Sequence, residues 1–427
     1  MKITSPADFD RLGYIGAITE LEPASGAFAP ICPPTYMKDG AASWAEKLAL
    51  TEDMTIPSRE HMWADVERDA QGCPRREKAV LINSIGAEAH QLSQILLRDS
   101  GIEWGRIAVN PMDATAVDEH ITKNLKHVPE SDVVRDVVRE TLAGYRYDSW
   151  GVSHRFADAL IRYAQDPSTS SQVRKNDNPL WRKILSVDPQ RDADWLWCNA
   201  ADAVIFGFWL SITGNAVRPK WARALRSEIF GYGVHLLKTG ATKDSEIGTV
   251  PNEFSTSEID GELRLGGKKK SVKKDDTDKP SNLGLGQIPT SPDYSAVTCE
   301  VILRRSGVSL THLRQLRSAS QNVEALVRGA AAASLFAMAS ASAQSMFLRS
   351  GTDLFPKSTV WTARTTDGGT VDLEVDANEA RSVLHEAMRD LEAAGLPQAN
   401  PIELTLSEDL AKIISQVMVS KPKDNGN

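Results

Sequence analysis

The densest apolar stretch of this chain, Ala203 to Leu210, contains no polar side chain. Its length and composition predict a buried strand. The run breaks at Thr213-Gly214-Asn215, and the residues beyond bring Arg218, Lys220, Arg223 and Arg226 against the single acid Glu228 before closing on Phe230-Gly231-Tyr232-Gly233. That pattern predicts a basic, glycine-bounded loop delivered to the surface by a core strand. Such a loop is either a seat for an anionic ligand or a plain solvated turn. Upstream, Val80-Leu81-Ile82-Asn83 reads as a short strand feeding an amphipathic helix, in which Ile85, Leu92, Ile95 and Leu96 recur at helical spacing until Gly101. Asn83, Ser84 and Gln91 at that junction are candidate ligand contacts or simple helix caps.

The remaining elements are read in the same way. Short helical patterns occupy Ser43 to Leu50 and Ser58 to Ala70, and a helix opens at Ser153-His154-Arg155 with Ser153 as its cap. In the last third, Ala296 to Leu303 is a strand candidate and Ser309 to Arg317 and Gln321 onward are helical. Ser358 to Arg364 and Thr370 to Val375 are strands joined through Asp367-Gly368-Gly369. Asn378 to Ala394 is a helix capped by Asp376 and stopped at Gly395, Ile402 to Leu406 is a strand, and Ser407 caps a final helix. This β-α-β-β-α-β order predicts an α+β fold of the ferredoxin-like, RRM-type kind with large helical and loop insertions. The expected organisation is an irregular or helical segment over 1–78, a strand-helix region with the basic loop over 79–239, a mobile lysine-rich loop over 240–289, the βαββαβ-like part over 290–418 and a disordered tail over 419–427.

Composition changes this picture little. The 427 residues are 41% hydrophobic, enough for a full core, and the formal net charge of -8 argues against a protein that coats nucleic acid by bulk charge. A polyanion site must therefore be a local patch. Cys32, Cys73, Cys198 and Cys299 form no Cys-x-x-Cys pair, so neither a zinc site nor a disulfide framework is signalled, and reduced thiols in the cytoplasm are expected. Gly329 to Leu348 is uncharged over about the length of a membrane span, but its alanines and serines supply too little transfer free energy for insertion and predict a buried, closely packed helix.

No catalytic constellation emerges. The eight histidines are scattered and none stands in a His-Glu-x-x-His or His-x-Glu arrangement. Gly266-Gly267 and Gly284-x-Gly286 do not link a strand to a helix, so no nucleotide fingerprint is present. Catalytic residues, metal ligands and cofactors are accordingly expected to be absent. Cation-rich surface remains: Arg218 to Arg226, the run Lys268, Lys269 and Lys270, and the pair Arg304 and Arg305, groups that neutralise phosphates and release their counterions. Trp209, Trp221 and Tyr232 are either faces for base stacking or core.

IFGFWLSITG followed by WARALRSEIFGYGV resembles the signature region of the RAMP-superfamily backbone subunit of CRISPR type I-G effectors, formerly called type I-U. VLINSIGAEAHQLSQIL, SHRFADAL and GQIPTSPDYSAVTCEVILRRSGVSLTHLRQLR resemble the same family in the same order, with departures at Leu210-Ser211 and over Gly86 to His90. The resemblance implies a RAMP fold and a non-catalytic protein that polymerises head to tail along CRISPR RNA in a Cascade complex with other subunits, target DNA being read by guide pairing. It adds His154 and Arg155 to the candidate RNA contacts. The alternatives are a metal-dependent ribonuclease using acids such as Asp202 and Asp244, or a protein-interaction scaffold without nucleic acid.

Overall fold

A strand must place alternate side chains on opposite faces, and a helix that follows it covers one of those faces. In the computed structural model Arg76–Asn83 (β3) leads directly into Ile85–Asp99 (α1), which packs on the neighbouring strand Leu225–Tyr232, and Ser84 caps the helix by accepting the Ala87 N–H at 3.3 Å. The described residues are 1–36, 43–60, 62, 66–126, 128, 133–210, 218–239, 255–259, 262–266 and 293–419.

One antiparallel sheet organises the chain and curls as a half-barrel. Its strands are Leu12–Pro23 (β1), Leu50–Thr55 (β2), β3, Leu225–Tyr232 (β4), Val301–Ser309 (β5), Met346–Arg349 (β6), Thr352–Thr365 (β7) and Thr370–Leu373 (β8). The spatial order is β6-β7-β1-β5-β4-β3-β2, with β8 on β7. Taken in chain order, β1, β4, β5 and β7 occupy the 4-1-3-2 arrangement of a ferredoxin-like sheet, and α1 and Val323–Ala343 (α3) cover one face of it. The fold is α+β.

The palm takes in the strands expected at Ser358 to Arg364 and Thr370 to Val375, but most of its other strands come from elsewhere than the sequence pattern suggests. The first 78 residues supply the central strand β1 and the edge strand β2, and of the helix expected over Ser43 to Leu50 only the short 3-10 turn Ala45–Lys47 forms before β2 begins at Leu50. The apolar run Ala203 to Leu210 is split: Ala203 to Phe206 end a helix, Asp194–Phe206 (α2), whose last two turns are buried on every side and therefore show no amphipathic period, and only Phe208–Trp209 form the expected strand. The expected basic loop ends at Ala224, because Leu225 onward is β4. Ser153 caps nothing, since the short helix Ala159–Arg162 is capped by Asp158. Ile402–Thr405 leaves the palm for a second sheet, where it runs parallel to Ile107–Asn110. Of the expected mobile loop, Ser255–Ile259 pairs with Glu262–Gly266; Lys268, Lys269, Lys270 and the tail from 420 lie outside the described residues.

Small residues let the helical layer close. In α3 nearly every alanine and serine is buried, and a Cβ at Gly329 would run into Leu391 of Ala377–Ala393 (α4) and lie 3.1 Å from the Trp197 ring of α2. Although α3 is long and apolar enough to cross a membrane, 89% of that stretch is buried inside the protein, as a core helix requires.

Two charged contacts lie inside this packing. The Glu88 carboxylate of α1, fully buried, accepts from Asn83 Nδ2 (2.5 Å), Ser227 Oγ (2.7 Å) and Arg304 Nε (3.0 Å), and Arg304 also donates to the Ala341 carbonyl at the end of α3 (2.6 Å). One carboxylate thus ties α1, β3, β4, β5 and α3 together. The second is Asp202 of α2, which is fully buried 3.5 Å from Arg155 Nη1 with neither carboxylate oxygen hydrogen-bonded, while Arg155 donates to Ser93, Trp150 and Ala89. Burial pushes the Asp202 carboxyl up to about 7, against the opposing charge of Arg155.

Breaking a buried pair strands its partner, so Glu88→Ala or Arg304→Ala is expected to cost about 3–5 kcal/mol in urea unfolding, whereas Glu88→Gln with Arg304→Met costs less than the two singles summed. Losses below about 1 kcal/mol for both singles would contradict the role given to this contact. Asp202 gives a pH signature of definite sign. Its folded value lies above the 3.8 of a free aspartate, so the stability held by its proton is full below that value and is lost as pH rises through about 7. Asp202→Asn removes this loss. From about pH 5 to pH 8 the melting temperature of the variant is expected to gain on the wild type, and a constant difference would refute the assignment.

Candidate nucleic-acid interface

Alternation along β4 and β5 decides which cations reach solvent. Leu225, Ser227 and Ile229 point toward the helices, so Arg226 and Glu228 emerge on the opposite face, and on β5 the buried Arg304 and the partly exposed Arg305 divide in the same way. Tyr14 of β1 completes the group. Its ring lies over Gly307, where any Cβ would strike the phenol, and Met62 lies over Gly16 by the same device. Tyr14, Met62, Ile85, Arg226 and Arg305 line a cleft of about 260 Å³ on this open face.

The cleft continues over the start of α1. Gly86, Ala87, His90, Ser153 and Arg223 line the next hollow, about 370 Å³, with the buried Arg155 in its wall. Ser153 and Arg223 are shared with a third, also about 370 Å³, walled by Phe206, Trp209 and His154. Trp209 pairs across a two-residue ladder with Lys220, which with Arg182, Arg191 and Arg218 borders a fourth cleft of about 700 Å³. The clefts follow one another from the palm to the ladder of Phe208–Trp209 with Lys220–Trp221.

The electrostatics are one-sided. Among the described residues no carboxylate lies within 4 Å of Arg223, Arg226 or Arg305, and Arg305 Nε is buried without a hydrogen-bond partner. Glu228 shares the first cleft without pairing with them. The Arg223 guanidinium is held below the ordinary arginine value by desolvation against the cleft wall and then by the charge of Arg226. Burial raises the Tyr14 hydroxyl, with Arg305 and Arg226 pulling the other way. Desolvation lowers His90, helped by Arg155 and Arg98. Clustered cations without counter-charges are a site for anions such as phosphates.

The sequence-nominated residues divide accordingly. His154, Arg218, Lys220, Arg223, Arg226 and Arg305 reach these clefts. Arg304 does not, because its guanidinium is spent inside the fold on Glu88 and Ala341. Arg155 is likewise turned inward to Asp202 and backbone carbonyls, and Asn83 is buried against Glu88. Ser84 acts as a cap and Gln91 Oε1 faces Asn83 Nδ2 at 3.5 Å. Trp221 and Tyr232 are core, while Trp209 is 54% exposed. Tyr14 joins the site only through the fold, since nothing in its sequence neighbourhood marks it. Among the described residues no three His, Cys, Asp or Glu side chains cluster as metal ligands; Asp202 is interior and Asp244 lies outside those residues.

No curated protein matches the chain. A solved structure described as "CRISPR RNA-guided surveillance complex, pre-nicking" aligns over 95% of this chain and 100% of its own at 8% identity, with a TM-score of 0.26, too low to imply a shared fold. The family described as CRISPR-associated protein GSU0053 (Cas_GSU0053) matches residues 16–236, just over half of the chain and a span that holds most of β1 together with β3, α1 and β4. The protein therefore belongs to this family of CRISPR-associated proteins.

Proposed function

We propose that the chain is a non-catalytic subunit that holds CRISPR RNA along the open palm face and the clefts beside it. The observation that carries this reading is the convergence of Arg223, Arg226 and Arg305 beside Tyr14 with no carboxylate paired to them among the described residues. Like charges gathered on a surface repel one another, and a phosphodiester backbone relieves that repulsion while releasing its own counterions. Contacts of this kind position a nucleic acid without reading its sequence, so target DNA is recognised by pairing to the guide.

The finer assignment is a RAMP-superfamily backbone subunit of a cytoplasmic type I-G Cascade complex. Successive copies then stack head to tail along one RNA through two different complementary faces, beside other Cascade subunits. A net charge of -8 is compatible with this role, because only the groove has to be positive.

Filter binding of purified protein to single-stranded RNA tests the site. Affinity is expected to fall steeply with salt, and removing three phosphate contacts by Arg223→Ala, Arg226→Ala and Arg305→Ala together is expected to flatten the logarithmic salt slope by about 2. An unchanged slope and affinity would remove the groove from this face. The non-catalytic assignment is checked separately by incubating labelled RNA with the protein and magnesium: intact RNA over hours is expected, and progressive cleavage scaling with enzyme contradicts it.

A further inference from the structure

The third cleft has a construction that phosphate binding alone does not need. Phe208 and Trp209 form a two-residue ladder with Lys220 and Trp221, and the ladder is anchored from below. Trp221 donates its indole N–H to the Val204 carbonyl at 2.9 Å and stacks on His312 at 4.0 Å between ring centroids, while Phe208 packs edge-on against Phe156 at 4.8 Å. Gly207 adopts φ +74, and a Cβ there would lie 2.6 Å from the Trp221 carbonyl oxygen, so only glycine lets the chain turn this tightly against 221–223. With Phe208 turned inward, Trp209 must point outward. It is left 54% exposed above this packed support.

We propose that this cleft seats a single unstacked nucleobase of bound RNA, with Trp209 as its stacking platform and Arg223 holding the adjoining phosphate. The proposal rests on the RNA-binding reading of the palm. Its volume of about 370 Å³ falls within the range of about 300–1,000 Å³ typical of small-ligand sites. Ser153 and His154 offer hydrogen-bonding groups at the edge, and Arg223 lines both this cleft and the one that leads back to the palm. A flat π face, a polar rim and a cation with no carboxylate partner among the described residues together match the face, edge and phosphate of one nucleotide. An apolar peptide side chain would use the ring and leave Arg223 without a counter-charge.

The test compares wild type, Trp209→Ala and Trp209→Phe on oligouridine RNA and on the same RNA carrying 5-iodouridine. Trp209→Ala is expected to weaken binding about 5- to 100-fold with the salt slope unchanged, since no phosphate contact is lost. Trp209→Phe retains most of the affinity, and in the wild type photo-cross-linking followed by mass spectrometry finds the modified base on Trp209. Equal affinity of Trp209→Ala and wild type, or cross-links that avoid Trp209, would overturn the base seat. If affinity falls on removing Arg223, Arg226 and Arg305 but not on removing Trp209, only the seat is lost; if wild-type protein binds RNA with no salt dependence, the palm reading falls as well. The cross-link is read on wild-type protein, so the outcome does not depend on the variant folding.

Discussion

A carboxylate sealed from water inside a protein has to be matched by charge and hydrogen bonds, and Glu88 is matched by Arg304, Ser227 and Asn83. The arrangement fixes more than one contact. It sets the height and rotation of α1 on the sheet, and so places Gly86 and Ala87 at the edge of the second cleft. It also fixes which side of β4 and β5 faces inward. With Ser227 and Arg304 committed to Glu88, alternation sends Arg226 and Arg305 to the other face. The basic surface is thus the reverse side of a buried polar lock.

That lock also explains what the sequence discloses and what it hides. The strand and helix around Asn83 and Ser84 are legible because β3 carries a short continuous apolar run, Ala79 to Ile82, and α1 has one apolar stripe. The helix capped by Asp376 is legible for the same reason, with the Asn378 and Glu379 N–H groups donating to its carboxylate. Elements buried on all sides are not. In α2 and in β1 apolar residues face every direction, so periodicity is lost, and β1 passes for irregular chain although the whole palm is built on it. Adjacent Arg304 and Arg305 read as a surface pair until they are placed on a strand, where neighbours cannot share a face. No local pattern announces that Glu88 waits for one of them across the sheet. The basic segment after Gly214 is legible as chemistry, but its extent is not, because Arg226 belongs to β4 and gains its neighbours Tyr14 and Arg305 only through strand pairing.

An acidic protein with a local cationic track suits a partner that must be held along its length without being read. Arg223, Arg226 and Arg305 supply charge that no carboxylate among the described residues pairs with, and the clefts lead from the palm toward Trp209. In the proposed role the protein contributes position and electrostatics, while the specificity of recognition belongs to base pairing.

The most direct measurement is to purify the protein from cells expressing a CRISPR array and sequence any nucleic acid that comes with it. Binding along a guide predicts small RNA of uniform length carrying array-derived sequence. Protein free of nucleic acid, or carrying only RNA fragments of arbitrary length and origin, would contradict it.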